Sequence, residues 1–169
     1  ELVWPPVCAF CTRPLVSKES SSVRVRICPE CCESFTFDKR DACFHCGAPI
    51  GPFLDPTLKC AACVAQVFRF SQVFRIGVYA NELRDACIRG KSPGSDALPA
   101  ALAAFLWQRE QQRITEFSPN MVVPVPQHWR HWFTRPHHQA TTIGESLASS
   151  LGIACRTGLV RKTRHTIDQ

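Results

Sequence analysis

Four Cys-x-x-Cys pairs stand within the first 63 residues: Cys8/Cys11, Cys28/Cys31, Cys43/Cys46 and Cys60/Cys63. A two-residue gap lets one tight turn aim two sulfurs at a single ion, and tetrahedral Zn²⁺ takes four such thiolates. Eight ligands make two complete sites. Each is closed, with no position left for water, so the metals are read as structural. A disulfide framework is the competing reading. An odd total of 11 cysteines and the absence of a signal peptide argue against it.

The intervals from Cys11 to Cys28 and from Cys46 to Cys60 fit ribbon-type spacing. The expected pairing is therefore consecutive: Cys8/Cys11/Cys28/Cys31, then Cys43/Cys46/Cys60/Cys63. A cross-brace, first pair with third and second with fourth, satisfies the same spacings and stays open. Cys32 follows its pair directly and is an alternative ligand to Cys31. His45 reads as a loop residue. Cys87 and Cys155 read as small buried hydrophobes. A ribbon module this small buries too little apolar area to offset chain entropy, so the metal is needed for folding. Free thiol ligands imply a reducing compartment, hence a cytoplasmic expectation.

The formal charge of +6 suggests a nucleic-acid partner. Eight bound thiolates and two zinc ions bring it to about +2, which is unremarkable for a soluble domain. The apolar run at 97–107 is too short to span a bilayer, so no membrane insertion is expected. The chain begins at Glu1 and stops at Gln169, which reads as a fragment.

Past the cysteines, residues 64–73 read as a connector and 74–79 (Phe-Arg-Ile-Gly-Val-Tyr) as a strand. A short helix is predicted over 81–89, a loop over 90–95, and a long helix over 96–112. Ser95 or Asp96 would cap that helix, with Leu98, Ala101, Leu102, Phe105 and Leu106 as its stripe. Residues 114–120 read as a connector, and 121–126 (Met-Val-Val-Pro-Val-Pro) as a buried parallel strand stopping at a cleft. Thr142 and Glu145 fit a capping box, Ile143, Leu147 and Leu151 a stripe, and Gly152 a helix stop. A strand is predicted to start at 153–155.

The fold class is thus a small zinc-ribbon module at 1–66 followed by an α/β part at 67–169. In parallel sheets, ligands bind beyond the carboxyl ends of strands. The loop after 121–126 carries His128, Arg130, His131, Arg135, His137 and His138. Its irregular histidine spacing, without nearby carboxylates, reads as surface loop rather than metal site.

These features together resemble the ComF family, competence-associated proteins that join a double zinc ribbon to a type I phosphoribosyltransferase-like domain. The resemblance runs through the four cysteine pairs, Tyr79 and Lys91, Val122-Val123-Pro124-Val125-Pro126, the stretch from Arg135 to Gln139, and Arg161, Thr166 and Gln169. Pro136 and His138 replace the family's Gly and Asn. The resemblance implies a glycosyltransferase-type protein. It would bind phosphoribosyl pyrophosphate with Mg²⁺, contact pyrophosphate through Lys91 and Arg135, and serve DNA uptake alongside competence proteins. It also implies an acidic pair with a Thr-Thr-Gly loop, which these 169 residues lack. The fragment alone is therefore expected to be inactive, and 67–169 to be the first part of that domain.

The alternative is a non-catalytic binding module for single-stranded DNA or a protein partner. Arg24, Arg26, Lys39, Arg40, Phe35, Phe37 and Phe44 would form its surface. The plainer reading places the aromatics in the ribbon core and the charges on a solvated face.

Overall fold

The computed structural model describes residues 7–15, 27–34, 41–92, 94–128 and 138–164. Its elements in chain order are α1 (Pro29–Ser34), α2 (Asn81–Arg89), α3 (Ala97–Phe117), β1 (Met121–Val122), α4 (Gln139–Leu151) and β2 (Ala154–Cys155).

Helix α3 is the spine. Its first turn accepts Pro99, because a proline there sacrifices no intrahelical hydrogen bond, and Pro99 is fully buried. Leu98, Ala101 and Leu102 of the predicted stripe are buried, with Phe105 packed beside them, and Ala103 outside that stripe is buried too. Asp96 occupies the cap position without a side-chain capping bond. The helix runs past the predicted end at 112. Ile114 is buried at 6 % exposure, so the apolar face continues through what the sequence suggested was a connector. The stop comes at Ser118, in the left-handed region at φ 51°, followed by Pro119.

Helix α2 matches its predicted bounds and buries Leu83 and Ala86. Helix α4 starts at Gln139, which places Thr142 inside its first turn rather than at a capping-box position. His138 holds the cap position, and its Nδ1 shares a 2.8 Å hydrogen bond with Thr141 Oγ1. Gly152 ends the helix as predicted, at φ 68°.

Strands β1 and β2 pair in parallel, Met121 with Ala154 and Val122 with Cys155, and the Arg156 N–H donates to the Val122 carbonyl at 2.9 Å. Helix α4 connects them and packs along α3. The expected buried strand at 121–126 is shorter and less buried than its composition suggested. Met121, Val123 and Val125 are exposed while Pro124 is buried, so one face of this small sheet is open. The α/β reading holds at this level: a two-stranded parallel sheet with helices, plus two cysteine clusters.

Residues 74–79 are not a strand. They lie against α3 instead. The Phe74 ring meets Phe117 at 5.8 Å, and Ile76 joins the core. The carbonyls of Val73 and Ile76 accept from the side chains of Arg113 and Arg109, at 3.3 and 3.0 Å, in place of a sheet ladder.

Gly144 sets how closely α4 approaches the segment after β1. A methyl group there would stand 2.8 Å from the Pro124 ring and 3.4 Å from Val122. The proline ring cannot rotate away. Gly144→Ala is therefore expected to destabilise the fold by about 1–3 kcal/mol, despite the higher helix propensity of alanine. An unchanged or raised midpoint in urea would show that the two elements can part at no cost.

Candidate metal centres

The cysteines converge as two groups, and the pairing is consecutive. The sulfurs of Cys8, Cys11, Cys28 and Cys31 all lie within 4.8 Å of one another, and so do those of Cys43, Cys46, Cys60 and Cys63. Cys31 supplies the fourth sulfur of the first group, and the side chain of Cys32, the alternative ligand, lies outside the described ones. Individual separations are 3.6 Å for Cys11–Cys28, 3.8 Å for Cys43–Cys63, 3.6 Å for Cys46–Cys60 and 3.8 Å for Cys60–Cys63. Zinc–sulfur bonds of about 2.3 Å in a regular tetrahedron give sulfur–sulfur edges of about 3.8 Å. A disulfide would need about 2.05 Å. The donor set and spacing thus fit two four-coordinate zinc ions and exclude disulfides in both groups.

Both groups rest on the same knuckle, which the sequence shows as the motif C-x-x-C-x-x-P, once from Cys8 to Pro14 and again from Cys43 to Pro49. The reading of the cysteine pairs alone missed this repeat. In the first copy Cys8 N–H donates to Arg13 and Thr12 N–H to Cys8, at 2.8 and 2.9 Å. In the second, Cys43 N–H donates to Ala48 and Gly47 N–H to Cys43, at 2.9 and 2.8 Å. Antiparallel bridges close each turn, Val7 with Pro14 and Ala42 with Pro49. The turn needs a left-handed residue after the second cysteine. Gly47 takes it freely at φ 73°, while Thr12 takes it at φ 61° against its own side chain.

Backbone donors prime one thiol per group. Burial acts to raise the Cys8 thiol, but the N–H groups of Cys11, Cys28 and Phe10 outweigh it and bring it down to about 7. Cys43 falls to about 6 because the N–H groups of Cys46, Cys60 and His45 overcome burial in the same way. Cys63 is pushed up to about 12 by burial and by the thiols around it. Zinc would displace the remaining protons.

The surroundings of the two groups differ. The first is built into the helical core. Cys8, Phe10 and Cys28 are buried against Leu83, Ala86, Leu98, Ala101 and Leu102. Phe10 sits 6.1 Å from the Phe105 ring, and its carbonyl accepts from Arg89 at 2.8 Å. Arg13 and Glu30 join the two cysteine pairs at 2.6 Å, though at this exposure the ion pair contributes little. The second group has a small core of its own, with Ile50 and Phe68 around the cysteines. Its link to α3 is Arg113, whose guanidinium lies 3.5 Å from the Phe44 ring centre and 4.9 Å from that of Phe74. Glu110 holds Arg113 at 2.5 Å. Phe44, which the binding-module alternative placed on an open surface, is therefore covered by a cation.

Lys91 is exposed just beyond α2. Arg135, His131, His137, Arg130, Thr166, Gln169, Arg24, Arg26, Lys39, Arg40, Phe35 and Phe37 lie outside the described residues. His128 is buried at 4 % exposure, not a surface loop residue, and sits where the chain leaves β1. His45 stays out of the metal group and hydrogen-bonds the Thr57 carbonyl at 2.9 Å. Cys87 and Cys155 are half-buried free thiols, both pushed upward by burial. Among the described residues, no helix is long and apolar enough to cross a membrane. Compared with known protein families, curated proteins and solved structures, the chain gives no match.

Proposed function

We propose that this chain is a zinc-stapled, ComF-like protein whose parallel sheet binds a phosphoribosyl pyrophosphate-type ligand with Mg²⁺. One juxtaposition carries the reading. Gly90 packs against the side chain of Gln139, its Cβ position 3.0 Å from Nε2. Lys91 follows Gly90 directly, and α4 is the helix that follows β1. Ligands of open parallel sheets bind beyond the carboxyl ends of strands, and a helix N-terminus favours anions. Lys91 would act as a point charge on the leaving pyrophosphate, and Arg135 as a planar, bidentate donor to its oxygens. Arg135 enters on sequence resemblance alone. The Mg²⁺ would travel with the pyrophosphate, neutralising its charge.

Calorimetric titration of the zinc-loaded chain with Mg²⁺-pyrophosphate and with Mg²⁺-phosphoribosyl pyrophosphate tests this. Saturable binding is expected, and Lys91→Ala and Arg135→Ala should each weaken it roughly tenfold, the worth of one charge-assisted hydrogen bond. No saturable heat, or full affinity in both variants, would remove the reading.

A binding module remains the second reading because the outer part of the second ribbon exposes large apolar side chains. Phe53 and Val67 are 98 % and 90 % exposed, with Leu54 and Leu58 also open. That supports a protein partner more than single-stranded DNA, since Phe44 is already stacked on Arg113.

A further inference from the structure

We propose that the second four-cysteine group is an exchangeable zinc site, a metal-dependent clasp on α3 with Arg113 as its latch, while the first group holds its zinc as part of the fold. The sulfurs themselves do not differ: each group has two buried and two half-buried cysteines. What differs is how much of the molecule must open before a competing ligand can reach them.

Around the first group, opening disturbs α2 and α3 together, because Leu83, Ala86, Leu98, Ala101 and Leu102 pack on Cys8, Phe10 and Cys28. Around the second, the described residues supply only Ile50 and Phe68 beside the cysteines. Among the described residues its hold on the rest of the chain runs through the knuckle, where Gly47 lies against Val73 and Arg75 and the Phe44 ring faces α3. That ring is covered by Arg113, and its carbonyl accepts from Val73 N–H at 2.7 Å. Arg113 in turn bonds Glu110, the Val73 carbonyl and Gln72. Local openings in a folded protein span a wide energy range, and regions with few apolar contacts open first. The second ribbon can therefore lift off without unpacking the helices.

The exchange is a ligand substitution with no redox step. Zinc leaves to a stronger donor, a small chelator or another thiol-rich protein, and the four thiolates regain protons. Release frees Phe44, and with it the contact that the knuckle makes on the second half of α3. The inference is independent of the pyrophosphate reading and survives its failure.

The test is zinc release from the full, two-zinc chain into excess EDTA, followed together with helical circular dichroism. Two phases are expected, one zinc each, with helix content preserved through the first. Arg113→Ala should quicken the fast phase roughly tenfold, as loss of a half-buried cation–π contact permits, and leave the slow phase unchanged. Cys60→Ser should yield a one-zinc chain that keeps its helices and shows the slow phase only. Release of both ions in a single phase, or loss of helix with the first zinc, would overturn the proposal. So would an Arg113→Ala variant that quickens both phases alike.

Discussion

Replacing Cys28 with serine should abolish cooperative folding of the helical part and lower the zinc content from two ions per chain to one. The size of the effect follows from two magnitudes. A structural zinc contributes about 10 kcal/mol or more at neutral pH. A domain of this size is stable by roughly 5–15 kcal/mol in total. Cys28 is 8 % exposed, in the cluster that includes Leu83 and Ala101, and its N–H donates to Cys8 Sγ at 3.3 Å. Losing this ligand leaves three thiols and a buried hydroxyl in the main core. Thermal melting followed by circular dichroism, with elemental analysis of the purified variant, decides the matter. A sharp transition near the parent's, in a protein holding one zinc, would mean that the helices fold without their metal.

Phe10→Ala is the second large effect, expected at about 3–5 kcal/mol. Phe10 is 7 % exposed and lies between two zinc ligands, so its ring fills the space between the first knuckle and α3. The truncation removes the tilted ring contact with Phe105 and the apolar cover of Cys8. Zinc binding should survive, because all eight sulfurs remain. Denaturant titration of the zinc-loaded variant should show a lower midpoint at unchanged stoichiometry. A loss under 1 kcal/mol would place the knuckle outside the cooperative core.

The metal groups were legible in the sequence because their chemistry is local: a two-residue gap dictates a turn, and four thiols dictate a closed site. Helices α2 and α3 were legible because their apolar stripes are helical in period. Residues 74–79 misled because an alternating apolar pattern requires no sheet partner: the segment is half-buried throughout 74–78, with Phe74 on Phe117 and Ile76 in the core. The end of α3 was misplaced because charged and amide residues interrupt its stripe before Ile114. The capping box at Thr142 failed because α4 begins a turn earlier, on the His138 carbonyl. Nothing in the spacing of cysteines distinguishes a ribbon set into the main core from one latched onto its side. That difference lies in Arg113, which reads as one more surface charge on a polar stretch of helix.

Helix α3 meets the first knuckle through Phe105 and the second through Arg113, roughly two turns apart. The chain between them must therefore keep its angular phase, even where side chains such as Gln108 and Gln112 face water. Deleting any one residue from 107 to 112 would rotate everything downstream by about 100° and swing Arg113 off the Phe44 ring. Substitutions at 108, 111 and 112 should be tolerated, whereas single deletions over the same stretch should not. Measured zinc retention across such a paired library would expose the rule: here the count of residues matters more than their kind.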